Sequence, residues 1–590
     1  MSGPGPRGEP FSVREGITCG VIGAAVVVAK SARDLPSVFG GTLINPDSAM
    51  RLVRLRDMLA AGRALDVVSR DGSGHGVVVQ WSHLLDSLLL LLASPLAPLL
   101  GWHAALRWTV PLFGPLCIAG LGAALAWAVA PIAERRWRLL APVLAGIAPP
   151  VLSYGLPGVV HHHLLIALAA IMSAGWAGRA IMGVRGAGWR LGAWGAAGLW
   201  LSPEAAPLTL MTLAALALAW LLQLRDHGGD HGLAIALRDA GSSYLLLTAA
   251  ALAADPPVSA AWTPCYDRLS VTWLALAGVC CLSGWLVWRG TTLRWPPWRA
   301  GLIGAAPLIA WFAAFPGVLR GTHAPLSPEE AHAFLDAISE FQPVRGLGCV
   351  EFLWTGLLAA ALAAIMARRE RAPVWLWAAA CTVAVTALGA EHVRFATYPA
   401  LLGCSALPVA LTRCGTMSAE RIGRTPALIR PGLVALFLAG PLLSVAAGGM
   451  GAAHATGSAE ECSSPPASTL LAPAAGQVVL ARPDETPDLL LSTNVLTAGS
   501  LYHRGIAAYM RARAAWRSMP SPAEPEAVRA TEAHWVLICS TAPRSPLVAD
   551  LPEATLEDRL REGRAPPWLQ PAGKDAAGWV LWQVRTVSRP

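Results

Sequence analysis

The sequence predicts a polytopic α-helical membrane protein, with about thirteen crossings, that ends in a small α/β domain outside the membrane. Three observations carry that expectation. Of 590 residues, 54% are hydrophobic and only 14% charged, with a mean hydropathy of +0.49, whereas soluble chains carry about 25% charged residues. Apolar stretches near 16–33, 108–133, 139–156, 163–178, 191–203, 205–222, 236–254, 270–288, 300–318, 347–367, 373–389, 396–412 and 431–448 are each long enough to span a bilayer, some with tilt. After residue 450 the apolar runs give way to short alternating segments of strand and helix character.

Taken in order, the first apolar run follows "MSGPGPRGEP" and carries no clear small-residue cleavage site, so it reads as a retained helix. A long first external loop spans 34–107. Within it "INPDSAMRLVRLRDML" (44–59) has helical apolar period among arginines, and is expected to lie on the outer membrane surface as an amphipathic helix. "HLLDSLLLLLASPLAPLLG" (83–101) is apolar but broken by Ser94-Pro95 and Pro98, which places it as an external or re-entrant segment. The membrane domain covers 1–450 and a small-residue and proline linker 451–475. A domain at 476–590 follows, with strands at "GQVVLAR", "HWVLIC" and "WVLWQVRT" and helices at "GIAAYMRARAAWRSM" and "LEDRLREG". Cys462 and Cys539 lie in this last part and either pair in an oxidising compartment or, for Cys539, simply fill a strand core.

The net charge of +8 comes almost entirely from arginine. These arginines punctuate loops rather than forming one basic face, which argues for topology and against nucleic acid as a partner. With 83–101 not crossing, Arg135, Arg136 and Arg138, then Arg179, Arg185 and Arg190, and the clusters at 225–238, 289–299, 368–371 and 413–430 fall on one side. By the positive-inside rule that side is cytoplasmic. The expected location is a bacterial inner membrane, with the N-terminus cytoplasmic and the C-terminal domain periplasmic.

In that topology the polar candidates converge outside. Asp47 follows the first helix, and His161, His162 and His163 open the second external loop. Glu204 is in the third, Glu340 in the long loop before 347, and Arg394 begins a later helix. Ionisable groups at a membrane boundary are costly unless paired, solvated or bound to a cation. Aspartate, glutamate and histidine together suit a divalent metal, and an arginine fork suits a phosphate. Each has a plainer reading beside this one. Asp47 is a good helix cap, the histidines flank a helix start, Ser202-Pro203-Glu204 reads as a first helical turn, and Arg394 reaches headgroups by snorkelling. His161 and His163 share a face only if the segment is extended. There is no P-loop and no CxxC.

This order of parts resembles the GT-C membrane glycosyltransferases, in particular the catalytic subunit of oligosaccharyltransferases. Asp47 in "NPDSAMRL" matches that family's acid after the first helix. Gly158 with His161-His162-His163 is similar to its Gly-x-x-Asp-x-Asp motif, which reads Asp-His-His in some bacterial relatives. "ISEFQP" with Glu340 resembles its Ser-x-x-Glu loop, and "QWSHLLD" with Trp81 a Trp-Ser-x-Leu-x-Asp signature of bacterial members. The resemblance implies a sugar donor on polyprenyl phosphate or pyrophosphate and a glycan, lipid or protein acceptor. Asp47 is then the catalytic carboxylate and candidate base, Arg394 the donor-phosphate ligand, and His161, His163 and Glu340 the ligands of a divalent metal, Mn²⁺ or Mg²⁺. His162, Glu204, Trp81, His503 and Arg504 are further candidates for substrate contact. Two departures stand out. The Trp-Trp-Asp-Tyr-Gly motif that binds the sequon is absent, and histidine replaces the first aspartate of the second motif, which suits transition metals better than Mg²⁺. The alternatives are a lipid or glycan transporter or flippase, and a non-catalytic glycan-assembly protein. A transporter would place its key groups at mid-membrane between repeated halves, and the sequence has no internal repeat.

Overall fold

In a computed structural model, residues 10–41, 43, 45–227, 231–417, 426–446, 462, 468–519 and 521–585 are described. Each of the apolar stretches read from the sequence contains helix. Seven helices among the described residues are long and apolar enough to cross a membrane, including Ala97–Val129, His163–Ile181, Val271–Thr292 and Pro373–Glu391. Others are shorter or broken for legible reasons. The stretch 139–156 splits into Leu140–Ile147 and Pro149–Gly155. Ala148, which precedes proline, is pushed to extended backbone (ψ 120°). Gly101, at φ 76°, breaks the Ala97–Val129 helix near its start.

The bundle closes around Ile118, Leu121, Leu125, Ile166, Leu401 and Leu407, all buried. Some helices approach more closely than side chains allow. A Cβ on Gly192 would sit 2.0 Å from the Ala240 carbonyl oxygen, so Ala187–Leu201 packs backbone to backbone on His231–Ala254.

Strands β1 (Val67–Val68) and β2 (Val77–Val78) form a short antiparallel pair after the Pro46–Ala61 helix. The C-terminal domain holds β3 (Val478–Leu480), β4 (Leu496–Thr497), β5 (Trp535–Cys539), β6 (Leu569–Lys574) and β7 (Trp579–Val584), in one five-stranded sheet of order β4-β3-β5-β7-β6. Strand β3 pairs parallel with β4 and β5, and β7 antiparallel with β5 and β6. Sequence patterning finds β3, β5 and β7 but misses the two edges. Strand β4 is two residues long, and β6 carries Pro571 and a register shift to Gly573, which sheets tolerate at an edge. Cys462 and Cys539 form a disulfide. The rest of the expected linker 451–475 lies outside the described residues up to 467.

One expectation is overturned. The Pro46–Ala61 helix does not lie on a membrane surface by its apolar face. Arg51 and Arg54, almost fully buried, both pair with the buried Asp86 (Arg51 Nη1 to Oδ1, 2.7 Å). Arg54 Nη1 also donates to the carbonyls of Val79 and Trp81. On the other side Met50 and Val53 pack against Leu490 and Tyr502 of the C-terminal domain. A helix whose arginines have a carboxylate to meet inside the protein gains more there than from headgroups.

The two parts are joined at several points. Ser73 Oγ donates to the Thr531 carbonyl (2.7 Å), Thr497 Oγ1 to Asp71 (3.0 Å), and Tyr509 OH to the Ala333 carbonyl (3.0 Å). Phe334, from the Pro328–Leu335 helix, is buried in the core of the C-terminal domain. The loop that carries Glu340 is therefore held by the sheet domain.

Candidate active site

Where the Pro46–Ala61 helix begins, Asn45 is the cap. Its Oδ1 accepts from the Asp47 N–H (2.7 Å), and Pro46 fills the first helical position. Asp47 is thus spared capping. Its carboxylate, 35% exposed, sits near the positive end of the helix with Oδ2 2.9 Å from His161 Nε2. Its Oδ1 accepts a hydrogen bond from Tyr502 OH (2.9 Å). The neighbouring Ser48 Oγ accepts from the Val160 N–H (2.8 Å), which ties the histidine segment to this helix.

The triplet lies at a junction. Gly158 takes φ +87°, where a side chain would also strike Val38. The chain is extended through His161, bends at His162 and becomes helical at His163. That bend folds His161 over His163, with ring centroids 4.2 Å apart and planes at 18°. The ligand nitrogens of all three rings lie within 4.8 Å of one another. Burial, reinforced by His163 and His161, holds the His162 imidazole well below its ordinary pKa, in the neutral form that binds metals. His161 Nδ1 is buried and without a hydrogen-bond partner.

Glu340 and Glu204 reach the same place. His163 Nε2 is 3.8 Å from Glu340, and His163 Nδ1 is 3.8 Å from Glu204. Arg394 Nη2 donates to Glu204 Oε2 (3.1 Å) and to His163 Nε2 (3.2 Å), with Glu204 Oε1 2.8 Å away; its guanidinium lies 4.4 Å from the Phe341 ring, and its buried Nε has no partner. Glu204, Glu340 and Arg394, with Asp47, His161 and His162, line a cavity of about 1660 Å³. Ile147, Leu152, Leu156, Val350 and Phe352 give it an apolar wall, and Lys30, Arg33 and Arg345 add cations. The volume exceeds the roughly 300–1,000 Å³ of small-molecule sites.

Six of the ten sequence-derived candidates, Asp47, His161, His163, Glu204, Glu340 and Arg394, are linked by a chain of contacts, and all of these but His163 line the cavity. His162 and Trp81 line the cavity too, Trp81 edge-on to Tyr502 and under the Arg51 guanidinium. His503 lines it while bonded to Asp267 (2.7 Å). Arg504 stands apart from both the cluster and the cavity wall, because its guanidinium is spent on Asp267 (2.6 and 2.7 Å). Tyr502 belongs to "YHRG" (502–505), a stretch the sequence offers for acceptor contact through His503 and Arg504, but nothing marks the tyrosine itself; Tyr154, 4.6 Å from the His163 ring, went unread because it looks like an ordinary helix aromatic.

The fold defines a class, that of the solved oligosaccharyltransferases, with a bundle of apolar helices followed by a C-terminal sheet domain. The solved structures that share it include the apo oligosaccharyltransferase of Archaeoglobus fulgidus, with a TM-score of 0.65 and 12% identity, over 98% of this chain and 76% of that one. The archaeal oligosaccharyltransferase AglB of the same organism, in complex with an inhibitory peptide and a dolichol-phosphate, has a TM-score of 0.63 and 11% identity, over 88% and 69% of the two chains. An Archaeoglobus fulgidus oligosaccharyltransferase in complex with zinc and sulfate has 0.60 and 12%, over 88% and 67%. No family model matches the sequence, and no curated protein does.

Proposed function

We propose that the protein is a membrane glycosyltransferase that moves a sugar from a polyprenyl-phosphate or polyprenyl-pyrophosphate donor to an acceptor hydroxyl on a glycan, lipid or protein. Its site faces the periplasm from a bacterial inner membrane, with 1–450 as the membrane domain and 476–590 outside. The observation that carries this reading is the meeting of Asp47, His161, His162, Glu340 and Arg394 on the wall of a large cavity, with His163 packed against His161 and Glu340, and with apolar residues lining the same cavity. A lipid-linked donor needs both surfaces.

In the reaction the acceptor oxygen bonds to the sugar's anomeric carbon while the bond from that carbon to the phosphate oxygen breaks. The bonding pair leaves with the phosphate, and the acceptor's proton passes to Asp47. Arg394 neutralises the departing phosphate through the donors it has free. The donor set fits a divalent cation of the transition series: clustered imidazole nitrogens, one of them buried and unpartnered, beside a glutamate. His161, His163 and Glu340 would hold it, and when bound it supplies further charge neutralisation at the phosphate. His163 Nε2 is engaged by Arg394 until the guanidinium turns to a phosphate.

The test is release of carrier from polyprenyl-phosphate and polyprenyl-pyrophosphate sugars by the purified protein in nanodiscs. Wild type should release carrier and Asp47→Asn should lose on the order of 10²–10⁴ in rate. Movement of intact donor across vesicles without cleavage would favour a flippase, and donor binding with neither would favour an assembly protein. For orientation, Ala337→Cys and Ala523→Cys should label from the periplasmic face. Labelling only after cytoplasmic exposure would overturn the topology.

A further inference from the structure

The acid read as the base has both oxygens engaged although it faces an open cavity. Asp47 Oδ2 meets His161, and Oδ1 accepts from a phenol that belongs to the C-terminal domain, 455 residues further along the chain. Tyr502 lines the cavity, and its ring stands edge-on to Trp81 at 5.5 Å. A phenol O–H bonded to a carboxylate at 2.9 Å presents the geometry of an alcohol about to give up its proton to a base.

The backbone beneath this phenol is anchored separately. His503 and Arg504, the next two residues, both bind Asp267, whose side chain is 1% exposed. The Tyr502 side chain can therefore leave Asp47 without unseating the turn that carries it. The ring also packs with Met50 and Val53 of the Asp47 helix, so the contact is built from both parts of the molecule.

We propose that Tyr502 is a positioning residue whose phenol holds, on Asp47, the place that the acceptor hydroxyl takes. It keeps water from that place until an acceptor displaces it. This rests on the reading of Asp47 as the base. Without the phenol, water enters as the nucleophile. Its oxygen bonds to the anomeric carbon, the bond to the phosphate oxygen breaks with its pair going to phosphate, one proton passes to Asp47, and free sugar is lost.

Tyr502→Phe keeps the ring and removes only the hydroxyl. In the full-length protein it should raise donor hydrolysis without acceptor about tenfold and lower the acceptor KM about tenfold, the size of one hydrogen bond to a charged group. A purely structural tyrosine would raise KM or lower kcat and leave hydrolysis where it was, and that result would overturn the proposal. A second readout needs no turnover. Labelling of Asp47 by a water-soluble carbodiimide, followed by mass spectrometry, should quicken about tenfold in Tyr502→Phe while that of Asp550, exposed and outside the cavity, is unchanged. Equal labelling rates would overturn the placement of Tyr502. If Asp47→Asn transfers sugar at the wild-type rate, the functional reading fails, and the labelling still decides whether the phenol covers Asp47.

Discussion

Two clusters of charge draw on the Pro46–Ala61 helix, one at its start through Asp47 and one further along through Arg51 and Arg54, and they are built differently. In one, Arg51 and Arg54 close on Asp86. All three side chains are at most 2% exposed, and both carboxylate oxygens meet a guanidinium. In the other, Asp47 is 35% and Glu340 27% exposed, two contacts stand at 3.8 Å, and His161 Nδ1 and Arg394 Nε have no partner. The first set can only hold structure: Arg51 Nε and Arg54 Nε also lack a partner, but none of its three side chains lines the cavity where a ligand could meet it. An open set carries a cost in the resting protein that a phosphate, a cation or an acceptor can relieve.

The comparison breaks most sharply on a pair of substitutions. Asp47→Asn is expected to lose about 10²–10⁴ in transfer rate while the thermal unfolding midpoint in detergent hardly moves. Asp86→Asn should do the reverse in kind: breaking a buried pair from one side costs about 3–5 kcal/mol, read as a large fall in that midpoint and in yield of inserted protein. If the two exchange signatures, the division into closed and open clusters is wrong.

Chelation sharpens the open side. Removal of bound metal should suppress transfer, and Mn²⁺, Co²⁺ or Zn²⁺ should restore it better than Ca²⁺ because imidazole favours transition metals. His161→Asp should move the preference toward Mg²⁺ or Mn²⁺. Metal analysis before and after dialysis checks the premise, and full activity in metal-free protein would leave Asp47 and Arg394 to act alone.

A smaller effect belongs to a third, closed cluster at the domain boundary. Burial alone would raise the Asp267 pKa, but hydrogen bonds from Arg504 and His503 outweigh it and hold the group below the ordinary carboxylate range. The sign follows from linkage. A depressed carboxylate pKa contributes stability above the unfolded value near 3.9, and that contribution is lost as pH falls below it. Protease resistance of the docked C-terminal domain should therefore hold down to about pH 4 and decline below it. Asp267→Asn should flatten the decline. An unchanged acid profile in that variant would assign the docking to apolar contacts such as Phe334.

How much of this was legible depends on how far each property reaches along the chain. Solvation by lipid is set locally by runs of apolar residues, so the membrane class, the helix positions and the sheet domain could be read directly. The change of period after residue 450 carried strands β3, β5 and β7, whereas β4 and β6 were hidden by brevity and by Pro571. At the site, residue types and loop positions were enough to nominate Asp47, the histidines, Glu204, Glu340 and Arg394. They were not enough to tell Arg504, which is consumed by Asp267, from Tyr502, which meets Asp47.

Composition and pattern alone thus determined that this chain enters a membrane, where its helices lie, and which of its residues are chemically able to serve a phosphate, a metal or a proton. Only the tertiary structure decided which charges are spent and which are open. Satisfying a buried charge requires a partner within about 4 Å, and here the partners come from positions far apart in the chain: Arg51 with Asp86, His163 with Arg394, Asp47 with Tyr502. No local pattern encodes such a meeting, because the free energy that enforces it comes from the packing of the whole chain.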